Sequence, residues 1–393
     1  MTRHTRILAL TAVIVLDGSA CADSVAAPDT AAAGVPAPSL SAMKFWDANA
    51  AANWTDLATS LSAQTPVPVG RLSVYLSLAQ LRAAEDAEAT VPHPPTSAAI
   101  GAASAAYLEA SFPSHTAEIE AALDAQQATV PWPGAKGQDF AAGEAIGRAA
   151  AARVIAYSLG DRVGLTNPGT PPLGPGFWVW NGGPISRGLL GARPFFLTSG
   201  DELRPPPPPT FGSAAYNAAL SEVRRISDTR TAEQVAIAQY WNVNQSPVSA
   251  AAMNNLAVGL IRRHRTSDHE AARIMFLMNA AAFDALIGCF DAKYYYWFIR
   301  PPQADPAITL PIGLPPHPSY PSAHSCITGS STAVLAAEYP SERPMLDALA
   351  QEASLSRLYA GIHYRFDMEA GLALGRRAAA KALAANLAEV AIR

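Results

Sequence analysis

Three short segments in the last third of this 393-residue chain gather side chains able to bind and process a tetrahedral oxyanion. The first is Lys293, six residues, then Arg300-Pro301. That spacing is about two helical turns, so both long cations can share one helix face. Two buried cations so placed call for an anion between them. The second is Pro321-Ser322-Ala323-His324, preceded by His317-Pro318-Ser319-Tyr320. Pro followed by Ser is a helix-start pattern. The N–H groups of a first helical turn have no partner within the helix and bind oxyanions. The Ser322 hydroxyl adds a donor, and His324 can carry a proton near neutral pH. The third is Ser356-Arg357, five residues, His363, three residues, Asp367. Arg357 offers a planar fork of donors. If the turn from His363 to Asp367 is helical, the carboxylate accepts the Nδ1 proton. The Nε2 atom is then unprotonated, more basic and free to face the anion.

Each segment alone has an ordinary reading. A Lys/Arg pair is usually a solvated face, Pro-Ser usually only a cap, and a His near an Asp usually structural. In this order and at these spacings they match too many fixed positions for coincidence.

The elements that must position these residues read as helices. Gly70–Ala89, Ser97–Phe112, Thr116–Gln127 and Ala141–Leu159 are Ala/Leu-rich with helical apolar spacing. Pro/Gly breaks such as Val91 to Pro95 and Pro131 to Gly134 separate them. Thr231 with Gln234, and Ser267 with Glu270, fit capping boxes. The second box opens a helix expected to run to about Phe298, where Pro301 and Pro302 stop it. Further helices are expected over Ser322–Glu338, from Pro344 to Ser356, and from Asp367 to the C-terminus. No alternating strand pattern and no fixed-period repeat is visible, so the expected class is all-α, with bundled helices. The expected divisions are a signal peptide over 1–22, an Ala/Pro-rich tail over 23–40, a helical region over 41–165, a Pro/Gly-rich crossover over 166–213, and a catalytic helical domain over 214–393.

Half of the residues are hydrophobic and only 15% are charged, which excludes a disordered solvating chain. The net charge of −4 gives no strong positive field, so nucleic acid is not the expected partner. Arg3 and Arg6, a short apolar run from Ile7 to Leu16 and the small residues through Ala22 read as an export signal. A periplasmic or secreted location is expected. Cleavage after Ala20 would instead expose Cys21 for lipid attachment. The most apolar later stretch, Ala271–Phe290, contains Arg273, Asn279 and Asp284, and reads as a buried helix rather than a membrane span. Cys289 and Cys326 are expected to be buried free thiols rather than a disulfide.

The three segments together resemble the signature of the type 2 phosphatidic acid phosphatase/vanadium-dependent haloperoxidase superfamily: Lys-x6-Arg-Pro, Pro-Ser-Gly-His, and Ser-Arg-x5-His-x3-Asp. Every position matches but one, Ala323, where the family usually has Gly. A wider stretch, roughly Thr166 to Ala380, is similar to the bacterial haloperoxidase-related branch. It includes Arg193-Pro194-Phe195, the proline run Pro205 to Pro209, Thr231 to Gln234 and Asp291 to Tyr294.

The resemblance implies helical bundles of the acid phosphatase/haloperoxidase type around a pocket for phosphate or vanadate. Lys293, Arg300 and Arg357 would hold equatorial oxygens, with Ser322 and the Ala323 N–H completing the cradle. In a haloperoxidase, His363 Nε2 would ligate vanadium of a vanadate cofactor, His324 would assist peroxide by proton transfer, and halide would be oxidised. In an acid phosphatase, which needs no cofactor, His363 would attack the phosphorus of a phosphate ester and His324 would protonate the leaving alcohol. The chain's length, the wider stretch and His317, which resembles the bromide-using type, favour the haloperoxidase. A surface-loop reading of His317 stands beside that one. A silent oxyanion-binding relative is the third reading, and the multi-span lipid phosphatases are excluded. Family members often dimerise, but the sequence carries no interface signal. If Ala323 needs a left-handed backbone it is strained; in a first helical turn it costs nothing, and the second is expected. The run Tyr294 to Phe298 is expected to pack in the core.

Overall fold

A computed structural model describes residues 49–65, 67–129, 136–242 and 248–390, within one unit spanning 39–393. The expected signal, tail and Cys21, and the break at Pro131 to Gly134, lie outside the described residues. Helices α1 (Ala50–Gln64), α2 (Val69–Ala89), α3 (Thr96–Ser111), α4 (Thr116–Thr129) and α5 (Lys136–Ser158) precede the crossover. After it come α6 (Ala214–Thr229), α7 (Ala232–Tyr240), α8 (Val248–His264) and α9 (Asp268–Tyr296). The chain closes with the short α10 (Pro301–Ala304), then α11 (Ala323–Glu338), α12 (Arg343–Tyr359) and α13 (Arg365–Ala384). The class is all-α: the described residues contain no strand beyond one isolated antiparallel bridge, Phe177 with Phe298.

The long helix α9 is the shared member of two bundles. It packs on α2, which also packs on α3 and α5, and on α11 and α13. It is long and apolar enough to cross a membrane, yet most of its side chains are buried among these neighbours. Its start shows half of the expected capping box. The Ser267 hydroxyl accepts from Glu270 N at 3.4 Å, while the Glu270 carboxylate turns to Arg273 at 2.6 and 2.8 Å. At Thr231 and Gln234 both halves form, at 3.1 Å each. Helix α9 ends two residues before Phe298, because Trp297 turns left-handed (φ 51°) and hands its N–H to Lys293 O. The chain then pairs with the crossover through Trp178 N to Trp297 O (2.6 Å) and Ile299 N to Gly176 O (2.9 Å).

The site end of the second bundle is seated by glycines. A Cβ at Gly371 of α13 would lie 2.6 Å from Ser322 O, and one at Gly375 would lie 2.4 Å from Cys326 O. Both are backbone atoms that cannot yield, so α11 and α13 touch only because these residues lack side chains. Cys289 and Cys326 are buried and free, as expected.

The crossover has no helix, yet it is tied down. Asp284 of α9 accepts three backbone N–H groups, from Phe195 (2.8 Å), Phe196 (2.7 Å) and Leu197 (3.2 Å). Arg204 grips Asp291 through two bonds and covers the Tyr295 ring, which is otherwise exposed. The Tyr296 and Tyr320 hydroxyls donate to the carbonyls of Pro205 and Pro206, which no N–H of their own could replace. Tyr294, Trp297 and Phe298 are buried. Asp284→Ala leaves three N–H groups without an acceptor and is expected to cost about 3 kcal/mol. Urea unfolding measures that loss; a cost below about 1 kcal/mol would mean the crossover does not depend on this carboxylate.

Candidate active site

Helix α9, the loop from Phe298 to Ser322, the start of α11, the end of α12 and the loop into α13 meet at one place. All the residues singled out by the three motifs come together there, by routes that differ from those expected. Lys293 and Arg300 do not share a helix face. Helix α9 ends between them, and Arg300 instead precedes α10, in extended backbone. His363 and Asp367 are not on one helical turn. His363 lies in the loop before α13, and Asp367 reaches back from the third position of that helix.

Lys293, Arg300, Arg357, Ser322 and Asp367 are fully buried, and His363 nearly so. Lys293 Nζ donates to three carbonyls of the adjacent loop: Pro318 (2.8 Å), Ser319 (2.8 Å) and Pro321 (2.5 Å). An ammonium has three donors, and in this structure all three are taken by loop carbonyls; the resemblance implies a place on an equatorial oxygen. Arg300 binds His317 O (2.9 Å) and Ile362 O (2.7 Å) and reaches two imidazoles, His317 Nδ1 at 3.1 Å and His363 Nε2 at 3.4 Å. A guanidinium only donates, so His363 Nε2 carries a lone pair; His317 Nδ1 lies equally close, 3.1 Å, to the Pro318 carbonyl, which only accepts, so Arg300 alone does not set its tautomer. His317 is half-buried beside Arg300 and packs edge-on against Phe290, and so is not a surface-loop residue. Arg357 uses Nε on Ser356 Oγ and Nη2 on Ala238 O, both at 2.9 Å. Its Nη1 group makes no hydrogen bond to a described residue.

His363 Nδ1 lies 2.8 Å from Asp367 Oδ2. The same oxygen accepts from Ser319 Oγ (2.5 Å) and Tyr364 N (3.2 Å). Ser319 is a partner that the sequence reading missed; its one signal is its place in the run Pro318-Ser319-Tyr320-Pro321-Ser322. Ser322 caps α11 by accepting from Ser325 N (3.4 Å), and its own N–H goes to Asp367 O (2.9 Å). That leaves its hydroxyl proton and the N–H groups of Ala323 and His324 unspent. Ala323 is the first residue of α11 and is not among the left-handed residues, so its methyl group carries no strain.

Burial dominates the electrostatics. It pushes Lys293 down to about 8, with the Arg300 charge adding to the effect. Arg300 is pushed down to about 10 and Arg357 to about 9, and all three remain cations at neutral pH. Burial raises Asp367 to about 6, against the Ser319 hydrogen bond and the Lys293 charge, so it is still mainly ionised. His317 and His363 fall well below their ordinary value, by burial and then by the Arg300 and Lys293 charges. His324 falls to about 3 by burial and the Arg357 charge. Three cations therefore face one carboxylate and three neutral imidazoles, an arrangement suited to a multiply charged tetrahedral anion.

The sign of the His324 effect can be read in stability. Its folded value lies below the unfolded 6.5, so the unfolded chain takes a proton that the folded chain refuses. This contribution is complete above pH 6.5 and is lost as pH falls toward about 3. The difference in Tm between the wild type and His324→Gln is therefore expected to move against the wild type from pH 7.5 to 4.5 (roughly the window set by this linkage). A pH-independent difference would contradict the placement of the ring.

Residues 273–387 match the family model described as the PAP2 superfamily. The fold is shared with solved bacterial enzymes. A structure titled the first bacterial vanadium-dependent iodoperoxidase aligns with a TM-score of 0.69 at 22% identity, covering 86% of this chain and 95% of that one. An apo-type bacterial vanadium-dependent chloroperoxidase aligns at 0.61 with 14% identity, over 80% and 91% of the two chains. A holo-type bacterial vanadium-dependent chloroperoxidase aligns at 0.60 with 15% identity, over 82% and 94%. Among curated proteins, none matches the sequence significantly.

Proposed function

We propose that this protein is an exported, vanadium-dependent haloperoxidase-like enzyme that uses peroxide to oxidise halide. The observation that carries the reading is the buried cage, in which positive charge exceeds negative and the His363 Nε2 lone pair is held among donors. Vanadate fits this donor set. It is a tetrahedral anion that needs charge neutralisation and one nitrogen donor, and His363 offers that donor with its other nitrogen anchored on Asp367. Arg357 Nη1, the Ser322 hydroxyl and the N–H groups of Ala323 and His324 would hold its oxygens, while Lys293 and Arg300 supply charge. Bound vanadate would supply a Lewis-acidic centre that activates peroxide. His324 would take up and return the proton of the incoming peroxide, and the neighbouring anion would raise its low basicity. The likeness to the iodoperoxidase and chloroperoxidase folds, which includes the helices before the crossover, supports this reading over the next one.

The second reading is an acid phosphatase. The same Nε2 lone pair can attack phosphorus, with His324 protonating the leaving alcohol. Two assays of the purified protein separate the readings: p-nitrophenyl phosphate alone, and vanadate with peroxide and bromide or iodide. Halogenation that requires vanadate supports the proposal. Phosphate release that vanadate blocks, without halogenation, favours the phosphatase. Neither activity, with tight phosphate binding, leaves a silent oxyanion-binding protein. The reading of residues 1–22 as an export signal places the enzyme outside the cytoplasm; an intact N-terminus on the recovered protein would contradict it.

A further inference from the structure

His324 is oriented by a group that lies outside the three motifs. Its Nε2 is 2.8 Å from the Trp241 carbonyl oxygen. A carbonyl only accepts, so Nε2 carries the hydrogen, and Nδ1 of the neutral ring holds the lone pair. Nδ1 has no hydrogen bond to a described residue. His363 is set the opposite way, with Nδ1–H on Asp367 and the lone pair on Nε2.

The Trp241 carbonyl is held firmly. Trp241 caps α7, with its N–H on Ile237 O at 3.2 Å. Its indole is buried and donates Nε1–H to Glu352 Oε1 of α12 at 3.1 Å. Five residues further along α12, Arg357 Nη2 binds Ala238 O. The last turn of α7 is thus clamped to α12 at two points, and its carbonyl end, the negative end of the helix, faces His324 and Arg357.

We propose that Trp241, backed by Glu352, is the positioning pair of His324, and that His324 exchanges its working proton through Nδ1. The imidazolium would give the Nδ1 proton to a departing oxygen and recover one from the incoming water or peroxide, while Nε2–H stays on the carbonyl throughout. The carbonyl opposes what depresses the ring: burial and the charges of Arg357 on α12, Lys293 on α9 and Arg300 before α10. The assignment rests on the reading of His324 as the acid–base group proposed above.

The test is nitrogen NMR of the full chain with 15N-labelled imidazoles, the His324 signals being assigned with His324→Gln. In the wild type, Nε2 is expected to be protonated and Nδ1 bare. Glu352→Ala is expected to mix the tautomers, to lower kcat about tenfold and to move the His324 limb of the pH–rate profile roughly half to one unit toward acid. Glu352→Gln keeps the Oε1 acceptor and is expected to restore all three. Trp241→Phe keeps most of the ring volume and loses the indole N–H, giving a second route to the same result should Glu352→Ala not fold. A wild-type ring protonated at Nδ1 overturns the proposal, as does an unchanged His324 spectrum in both variants. The tautomer is read without turnover, so it stands apart from the activity assays. If those fail, the pH dependence is read instead from orthovanadate affinity.

Discussion

His363→Ala is expected to remove turnover, whichever chemistry the site performs, by at least roughly a thousandfold in kcat. The reason is geometric. Within the cage, His363 Nε2 is the imidazole nitrogen whose opposite nitrogen is fixed on a carboxylate, at 2.8 Å. Among the described residues its lone pair is contacted by Arg300 Nη1 alone, at the long distance of 3.4 Å. On either proposed reading it is the atom that would bond to the centre of a tetrahedral guest, as a ligand to vanadium or as a nucleophile toward phosphorus. The variant should remain folded, because the ring is one buried contact among many. Its circular dichroism and its urea unfolding then separate lost chemistry from lost structure. A residual rate within about tenfold of wild type would remove His363 from the centre of the site.

The contrast between what the three motifs disclose and what they hide has a physical origin. Side-chain types at fixed spacing announce a cationic cage, because Lys293, Arg300, Arg357, His324 and His363 have few other reasons to recur in that order. Backbone partners leave no such trace. The carbonyls of Pro318, Ser319 and Pro321 that occupy Lys293, and the Trp241 carbonyl that orients His324, belong to residues chosen for other properties. Glu352 and Asp284 look like ordinary helix carboxylates until α7 and the crossover are laid against them. The route from Lys293 to Arg300 departs from the expected shared helix face for a related reason. Trp297 takes a left-handed turn, a conformation that a bulky aromatic does not advertise.

The bundles were legible where apolar spacing and Pro breaks coincide, as in α2, α3, α11 and α12. The sequence reading did not single out helices α1, α6 and α8. Helix α1 is built largely of Ala, Ser and Thr, whose inward face acquires meaning only against α3 and α8. Helix α6 starts where the expected crossover ends, at a single Ser213 cap four residues after a proline run that reads as a continuing loop.

Asp367→Ala is expected to be the most damaging single change to the fold. This carboxylate is buried with Lys293 and Arg300, and its Oδ2 accepts from Ser319, His363 and Tyr364. Removing one partner from a buried ionic cluster typically costs about 3–5 kcal/mol, because the remaining charges have no counter-ion. Orthovanadate or phosphate should then recover part of the lost stability by taking the role of that charge, and a Tm that rises more steeply with anion in the variant than in the wild type would show it. Asp367→Asn separates charge from shape. Its amide can present an N–H to His363 Nδ1, and the ring must then accept there and carry its proton on Nε2. The lone pair is thereby withdrawn from the guest, so turnover is expected to fall on the order of 10³–10⁴-fold even if the protein stays folded. Activity retained in Asp367→Asn would mean that the tautomer of His363 is set by something other than this carboxylate. The division of labour between the Asp367 and Trp241 acceptors, each fixing one imidazole in the opposite sense, would then fail at its first member.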